Sequence, residues 1–219
     1  MKEQLYPATH REYAGAIWEI QAEGIPVIQA RIAEWLGVSR ASVSENVRKL
    51  EAEGLIEVGA DIRLTEAGRH LAEVIVRRHR LTERFLTDVL GLTWDKVHPE
   101  AEVWETMISD DVEAAMWKVL DRPTTCPHGN PIPGSGYSPP PMVPLADVAD
   151  GAARPIERLS EELEMDDEMM GFLDRSGLRP GTQVEVLDRS PQGALTVRIG
   201  GGEPIGISHY LAERVFLVA

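Results

Sequence analysis

Over the first third of the chain, apolar positions recur at helical spacing and glycine-bearing turns divide them. Between Glu12 and Glu23 they are Tyr13, Ala14, Ile17, Trp18 and Ile20, and Gly24-Ile25-Pro26 ends the helix that they predict. A short helix is expected over Ile28–Leu36. Gly37-Val38-Ser39 follows as a turn in which Ser39 can cap a third helix, Ala41–Glu53, which closes at Gly54. Leu55–Val58 and Ile62–Thr65 flank a turn at Gly59-Ala60-Asp61 and predict a small hairpin. Helix, helix, turn, helix and hairpin in that order describe a winged helix-turn-helix over residues 1–73.

From Thr65 a long helix carries Leu71, Val74, Ile75, Leu81, Phe85, Leu86 and Val89 to about Gly91. A second helix is expected to run unbroken through Val97, Trp104, Ile108, Val112, Met116 and Leu120. Two helices cannot bury so wide an apolar surface alone, which points to a symmetric homodimer formed by residues 74–144. Residues 122–145 are dense in Pro, Gly and Ser and predict a linker or extended loop without regular structure. In residues 145–219, strands are expected over Ala153–Leu159, Gln183–Leu187, Ala194–Ile199 and Glu213–Val218. A helix is expected over Ser160–Gly177, and the short strands predict a small β-barrel. The fold class is mainly α with a small β part.

Composition narrows the class. Apolar residues at 43% and charged residues at 26% are those of a globular chain with real cores. The opening MKEQLYPATHREY has no signal-peptide core, no apolar run approaches the length of a membrane span, and a single cysteine permits no internal disulfide. These predict a cytoplasmic protein with no membrane partner. The net charge of -14 argues against a nucleic-acid ligand at first sight. Its distribution weakens the argument: residues 145–219 hold 14 acidic against 7 basic side chains, half of the excess.

Two sets of side chains carry chemistry. In the third helix Val43, Val47 and Leu50 define the buried face, leaving Ser39, Arg40, Ser42, Ser44, Asn46 and Arg48 outward as donors for base edges and phosphates in a major groove. Arg31 and Arg63 are expected phosphate contacts. Winged helices also serve as protein-interaction modules, but this face is rich in donors. Downstream, His79-x3-Glu83 and His98-x3-Glu102-x2-Glu105 place imidazoles and carboxylates on shared helix faces, an arrangement able to hold a divalent metal. The absence of a sulfur ligand from this set favours Mn(II). Cys126-Pro127-His128 lies in a Pro-Gly loop and is assigned a rigid turn with no ligand. Gly200-Gly201-Gly202 is a hairpin turn, not a phosphate cradle.

These motifs together resemble the diphtheria toxin repressor and manganese transport regulator family of metal-dependent bacterial repressors. The resemblance covers nearly the whole chain: the winged helix, Val76–Leu86, Lys96–Glu102, Pro127–Pro133 and Gly177–Gly181. It implies an SH3-like (FeoA-like) C-terminal domain and a non-enzymatic repressor of metal-uptake genes that binds a palindromic double-stranded DNA operator as a homodimer. It also implies an ancillary metal site of His79, Glu83 and His98, completed by Asp166 or Glu168, and a regulatory site of Glu12, Glu102 and Glu105. Carboxylates at Glu12 and Glu102 follow the manganese pattern, whereas iron-responsive members have sulfur there, so Mn(II) is the expected ion and Fe(II) the alternative. The chain departs from the family at Thr106, where a histidine is usual; His10 is a candidate for the missing nitrogen. A metal-independent winged-helix sensor of a small molecule is the rival reading. A metal-assisted hydrolase fares worst, because the chain has neither a His-Glu-x-x-His pair nor a nucleophile elbow.

Overall fold

The computed structural model describes residues 6–219. Residues 1–5, on which the expected winged domain begins, lie outside the described residues. Contacts divide the chain into two compact units: one runs to His79 and takes in Trp104–Ile108, the other comprises Arg80–Val103 and Ser109–Ala219.

The first unit holds α1 (Ala8–Ala22), α2 (Gln29–Trp35), α3 (Arg40–Ala52), β1 (Ile56–Val58), β2 (Ile62–Leu64) and the start of α4 (Glu66–Asp88). α1 begins a turn earlier than apolar periodicity indicates, because Pro7 at its N-cap has φ -54°, already suited to a helix start. Ser39 caps α3, its hydroxyl accepting from the Ser42 N–H at 3.2 Å. At the other end Gly54 adopts φ +72° and lets the Leu55 N–H return to the Leu50 carbonyl at 2.9 Å. Ile17, Ile20, Ile32, Val43, Val47, Leu50, Leu55 and Ile62 form one buried core. β1 and β2 pair antiparallel with Glu57 opposite Arg63, which gives the expected wing.

In the second unit the single helix expected through Leu120 is two, α5 (Trp94–Glu105) and α6 (Asp110–Val119). Ser109 caps α6, accepting from the Val112 N–H, and Asp110, Asp111 and Glu113 place negative charge in its first turn, so the local sequence favours a new start over continuation. The C-terminal part forms β3 (Met142–Pro144), β4 (Ala153–Leu159), α7 (Asp167–Ser176), β5 (Gln183–Arg189), β6 (Leu195–Ile199), β7 (Pro204–Ile207), α8 (His209–Ala212) and β8 (Val215–Val218). The helix expected over Ser160–Gly177 divides into a 3₁₀ turn, Glu161–Leu163, and α7. The expected closed barrel is corrected to an open six-stranded antiparallel sheet in the order β3-β8-β4-β5-β6-β7, whose edges β3 and β7 are not joined. Trp94, the first residue of α5, is buried in the same core as Leu159, Leu173, Val184, Val197 and Leu217.

The Pro-rich stretch is irregular as expected until β3, but it is not a free linker. Residues 126–130 are buried, and the Leu159 N–H donates to the His128 carbonyl at 2.8 Å. Gly129, at φ +91°, permits this approach, since a Cβ there would lie 2.2 Å from the Glu157 carbonyl oxygen. No helix among the described residues is long and apolar enough to cross a membrane.

Candidate metal centre

His79 and Glu83 stand four residues apart on α4 and so share a face. His98 comes from α5, and Glu164 from the residue just after the 3₁₀ turn. The donor atoms of His79, Glu83, His98 and Glu164 all lie within 4.8 Å of one another, as do those of Glu83, Cys126 and His128. His98 Nδ1 is 3.6 Å from both Glu83 Oε1 and Glu164 Oε2, and His128 Nδ1 is 2.9 Å from Glu164 Oε2 and 3.7 Å from Glu83 Oε1. The Glu83 and Glu164 side chains are 0% exposed.

Two carboxylates buried side by side are costly unless positive charge joins them. Arg80 is engaged with Glu161 and the Pro131 carbonyl in a buried contact. Glu164 Oε1 accepts from Asn130 Nδ2 at 3.0 Å, while His128 Nε2 is buried with no hydrogen-bond partner among the described residues. Burial pulls the His128 pKa down, but the carboxylates of Glu164 and Glu83 outweigh it and raise the value above the ordinary one. Burial pushes the Cys126 thiol well up, helped by Glu83 and Glu164, so the sulfur keeps its proton unless a cation displaces it. Nitrogen, oxygen and sulfur donors converging on a buried anionic pocket fit a divalent transition metal.

Of the expected ancillary donors, His79, Glu83 and His98 converge. The C-terminal acid that joins them is Glu164, not the expected Asp166 or Glu168. Asp166 is instead the N-cap of α7, accepting from the Met169 N–H at 3.0 Å, and it and Glu168 are exposed. Cys126 and His128, assigned only a turn in the sequence, belong to the buried cluster. Their spacing was visible, but their burial depends on the Gly129 approach to β4. The expected regulatory donors do not gather: no group of three or more donors among the described residues includes Glu12, Glu102 or Glu105. Glu12 is exposed on α1, and Glu102 lies 3.8 Å from His98 Nε2. Glu105 Oε2 is 2.7 Å from His79 Nδ1. His10 is turned to Glu53, with Nε2 3.2 Å from its Oε1.

On α3, Arg40 and Arg48 are exposed, and Arg48 donates to Ser44 Oγ at 3.0 Å. Asn46 is half-buried and donates to the Ser42 carbonyl at 3.0 Å, so Ser39 and Asn46 serve the helix itself in this state. Arg31 pairs with Glu34 at 3.0 Å and Arg63 is exposed on the wing.

A winged helix-turn-helix followed by a buried His/Glu/Cys cluster defines the class of a metal-dependent DNA-binding regulator. Family models match three stretches: the iron dependent repressor N-terminal DNA binding domain over residues 8–61, the iron dependent repressor metal binding and dimerisation domain over 65–134, and the FeoA domain over 143–219. The chain is 39% identical over 220 residues to the iron-dependent repressor IdeR of Mycobacterium tuberculosis, covering 94% of this chain and 95% of that one. It is 36% identical over 192 residues to the diphtheria toxin repressor of Corynebacterium diphtheriae, covering 83% and 85%. Among solved structures it is similar to a manganese-dependent transcriptional repressor in complex with manganese, with TM-score 0.85, 32% identity and coverage of 96% and 99%. The chain belongs to the diphtheria toxin repressor family of metal-dependent, DNA-binding repressors, which are not enzymes.

Proposed function

We propose that this chain is a cytoplasmic, Mn(II)-activated homodimeric repressor of metal-uptake genes that binds a palindromic DNA operator. The observation that carries the metal reading is the buried Glu83–Glu164 pair flanked by His98 and His128. His79, Glu83, His98 and Glu164 would hold one ion, with Cys126 and His128 at the same pocket. A divalent cation bound there would add positive charge between the two buried carboxylates. Glu12, Glu102 and Glu105 are assigned to a second, regulatory ion from the family pattern. In that assignment Glu12 ties the first helix of the winged domain to the dimerisation helix, which sets the separation of two α3 helices to that of operator half-sites. Arg40, Ser42, Ser44 and Arg48 then read or approach the major groove, Arg31 and Arg63 approach phosphates, and Ser39 and Asn46 hold the helix start.

Carboxylates at Glu12 and Glu102 support Mn(II), as does the likeness to a manganese-dependent repressor. Fe(II) is the second reading. It is favoured by the buried Cys126 sulfur, which removes the premise that the chain offers no soft donor, and by relatives named iron-dependent repressors. Selection from random duplexes by the dimer, with Mn(II), with Fe(II) under anaerobic conditions and with EDTA, tests both. A palindrome is expected in the metal arms only, and Glu12→Ala should lose metal-stimulated binding while remaining a folded dimer. Equal binding in EDTA would overturn the metal dependence, and an undiminished Mn(II) response of Glu12→Ala would overturn the assignment of Glu12.

A further inference from the structure

Val43, Val47 and Leu50 turn one face of α3 into the core of the winged domain, and so fix which residues stand opposite. At about 100° per residue, Glu45 lies roughly 190° round the helix from the centre of those three, on the side directly away from the core. Ala41, one turn earlier on that side, is exposed and has no long side chain to hold the helix off a base edge. The Glu45 side chain is 67% exposed, and its Oε1 accepts from Lys49 Nζ at 2.7 Å. That hydrogen bond, with the charges of Lys49 and Arg48, holds the Glu45 carboxyl below its usual range. The outermost group near the start of the DNA-facing helix is therefore an anion.

An exposed Glu–Lys pair four residues apart contributes little to stability, and a carboxylate works against the attraction of cations to phosphate. Its chemistry suits selection among bases instead. An ionised carboxylate only accepts hydrogen bonds, and in the major groove cytosine presents a lone donor, its N4 amino group. Guanine and thymine present acceptors, and adenine sets the N7 acceptor beside its amino group. One base is joined and acceptors on the others are repelled.

We propose that Glu45 is a specificity-determining residue of α3, accepting from the N4 amino group of a cytosine in each half-site. The inference rests on the reading of α3 as the helix that enters the major groove. Arg48 and Lys49, exposed on either side of Glu45, offset its charge as the helix approaches the phosphates. A carboxylate has acceptor sites enough to keep Lys49 and take the base as well.

The test is selection from random duplexes by the full-length dimer with Mn(II), or with Fe(II) under anaerobic conditions, for the parent, Glu45→Gln and Glu45→Ala. The parent should select a C·G pair at one position of each half-site. Glu45→Gln, whose amide can pair with both N6 and N7 of adenine, should move that position to A·T and leave the others unchanged. Glu45→Ala should lose the preference there, so that the parent's discrimination of about 5- to 20-fold, the lower part of the range for one wrong base pair, falls to within about 2-fold. Lys49→Ala breaks the same ion pair, but should weaken all duplexes alike, with a smaller salt dependence and the cytosine retained. If no position changes in the Glu45 variants, if the position that changes is not cytosine in the parent, or if Lys49→Ala erases the cytosine as fully as Glu45→Ala, the role of Glu45 falls while DNA binding stands. If the parent selects no sequence with either ion, the reading of α3 falls, and this inference with it.

Discussion

At the scale of single residues, the centre is governed by proton and charge accounting. His128 is fully buried, yet Glu164 and Glu83 raise its pKa above the ordinary 6.5. The metal-free fold therefore holds this proton more tightly than the unfolded chain does. Its contribution to stability is fully present below pH 6.5 and is lost as pH rises through the raised value. A cation competes with the same proton, so Mn(II) affinity should increase over that window. Thermal midpoints of the metal-free protein, compared with those of His128→Gln, should show the variant's smaller decline with rising pH, and Mn(II) titrations at several pH values should show the opposite trend for affinity. The sequence made His79, Glu83 and His98 legible because helical periodicity fixes which side chains share a face. It did not make Glu164 legible, because the choice among Glu164, Asp166 and Glu168 depends on where a 3₁₀ turn ends and α7 begins.

At the scale of elements, the segment after α6 shows how a loop becomes part of a site. Its composition excludes helix and strand over most of its length, but Gly129 at φ +91° brings it against β4 and buries Cys126 and His128. Gly129→Ala introduces a Cβ into the Glu157 carbonyl and forces alanine into a left-handed backbone. It should cost about 1–3 kcal/mol in urea unfolding, with a parallel loss of Mn(II) affinity as His128 moves. The same scale explains the split of the expected long helix. Ser109 and three acidic residues compete successfully with continuation, a signal present in the sequence and outweighed in the periodicity by Ile108, Val112 and Met116.

At the scale of the molecule, the second unit leaves apolar side chains in solvent on consecutive helices: Val103 at the end of α5, and Val112 and Val119 on α6. They lie in the stretch that matches the metal binding and dimerisation domain or directly within it, and a homodimer is the economical cover for them. Val112→Glu combined with Val119→Glu should shift sedimentation equilibrium toward monomer with little change in the fold, since neither side chain contributes to the buried cores. The acidic balance of the chain is a property of its parts. Half of the excess belongs to residues 145–219, while the exposed face of α3 carries Arg40 and Arg48.

The sequence by itself determined the winged helix, the long α4 with its His79–Glu83 face, and the capped start of α3. Each rests on interactions between residues a few positions apart, where apolar spacing and capping chemistry act directly. Only the tertiary structure decided that the sheet stays open, that Glu164, Cys126 and His128 join the donors on α4 and α5, and that Glu105 meets His79. Those outcomes depend on packing between segments far apart in the chain, and the burial that gives these groups their chemistry is created by that packing and has no local signature.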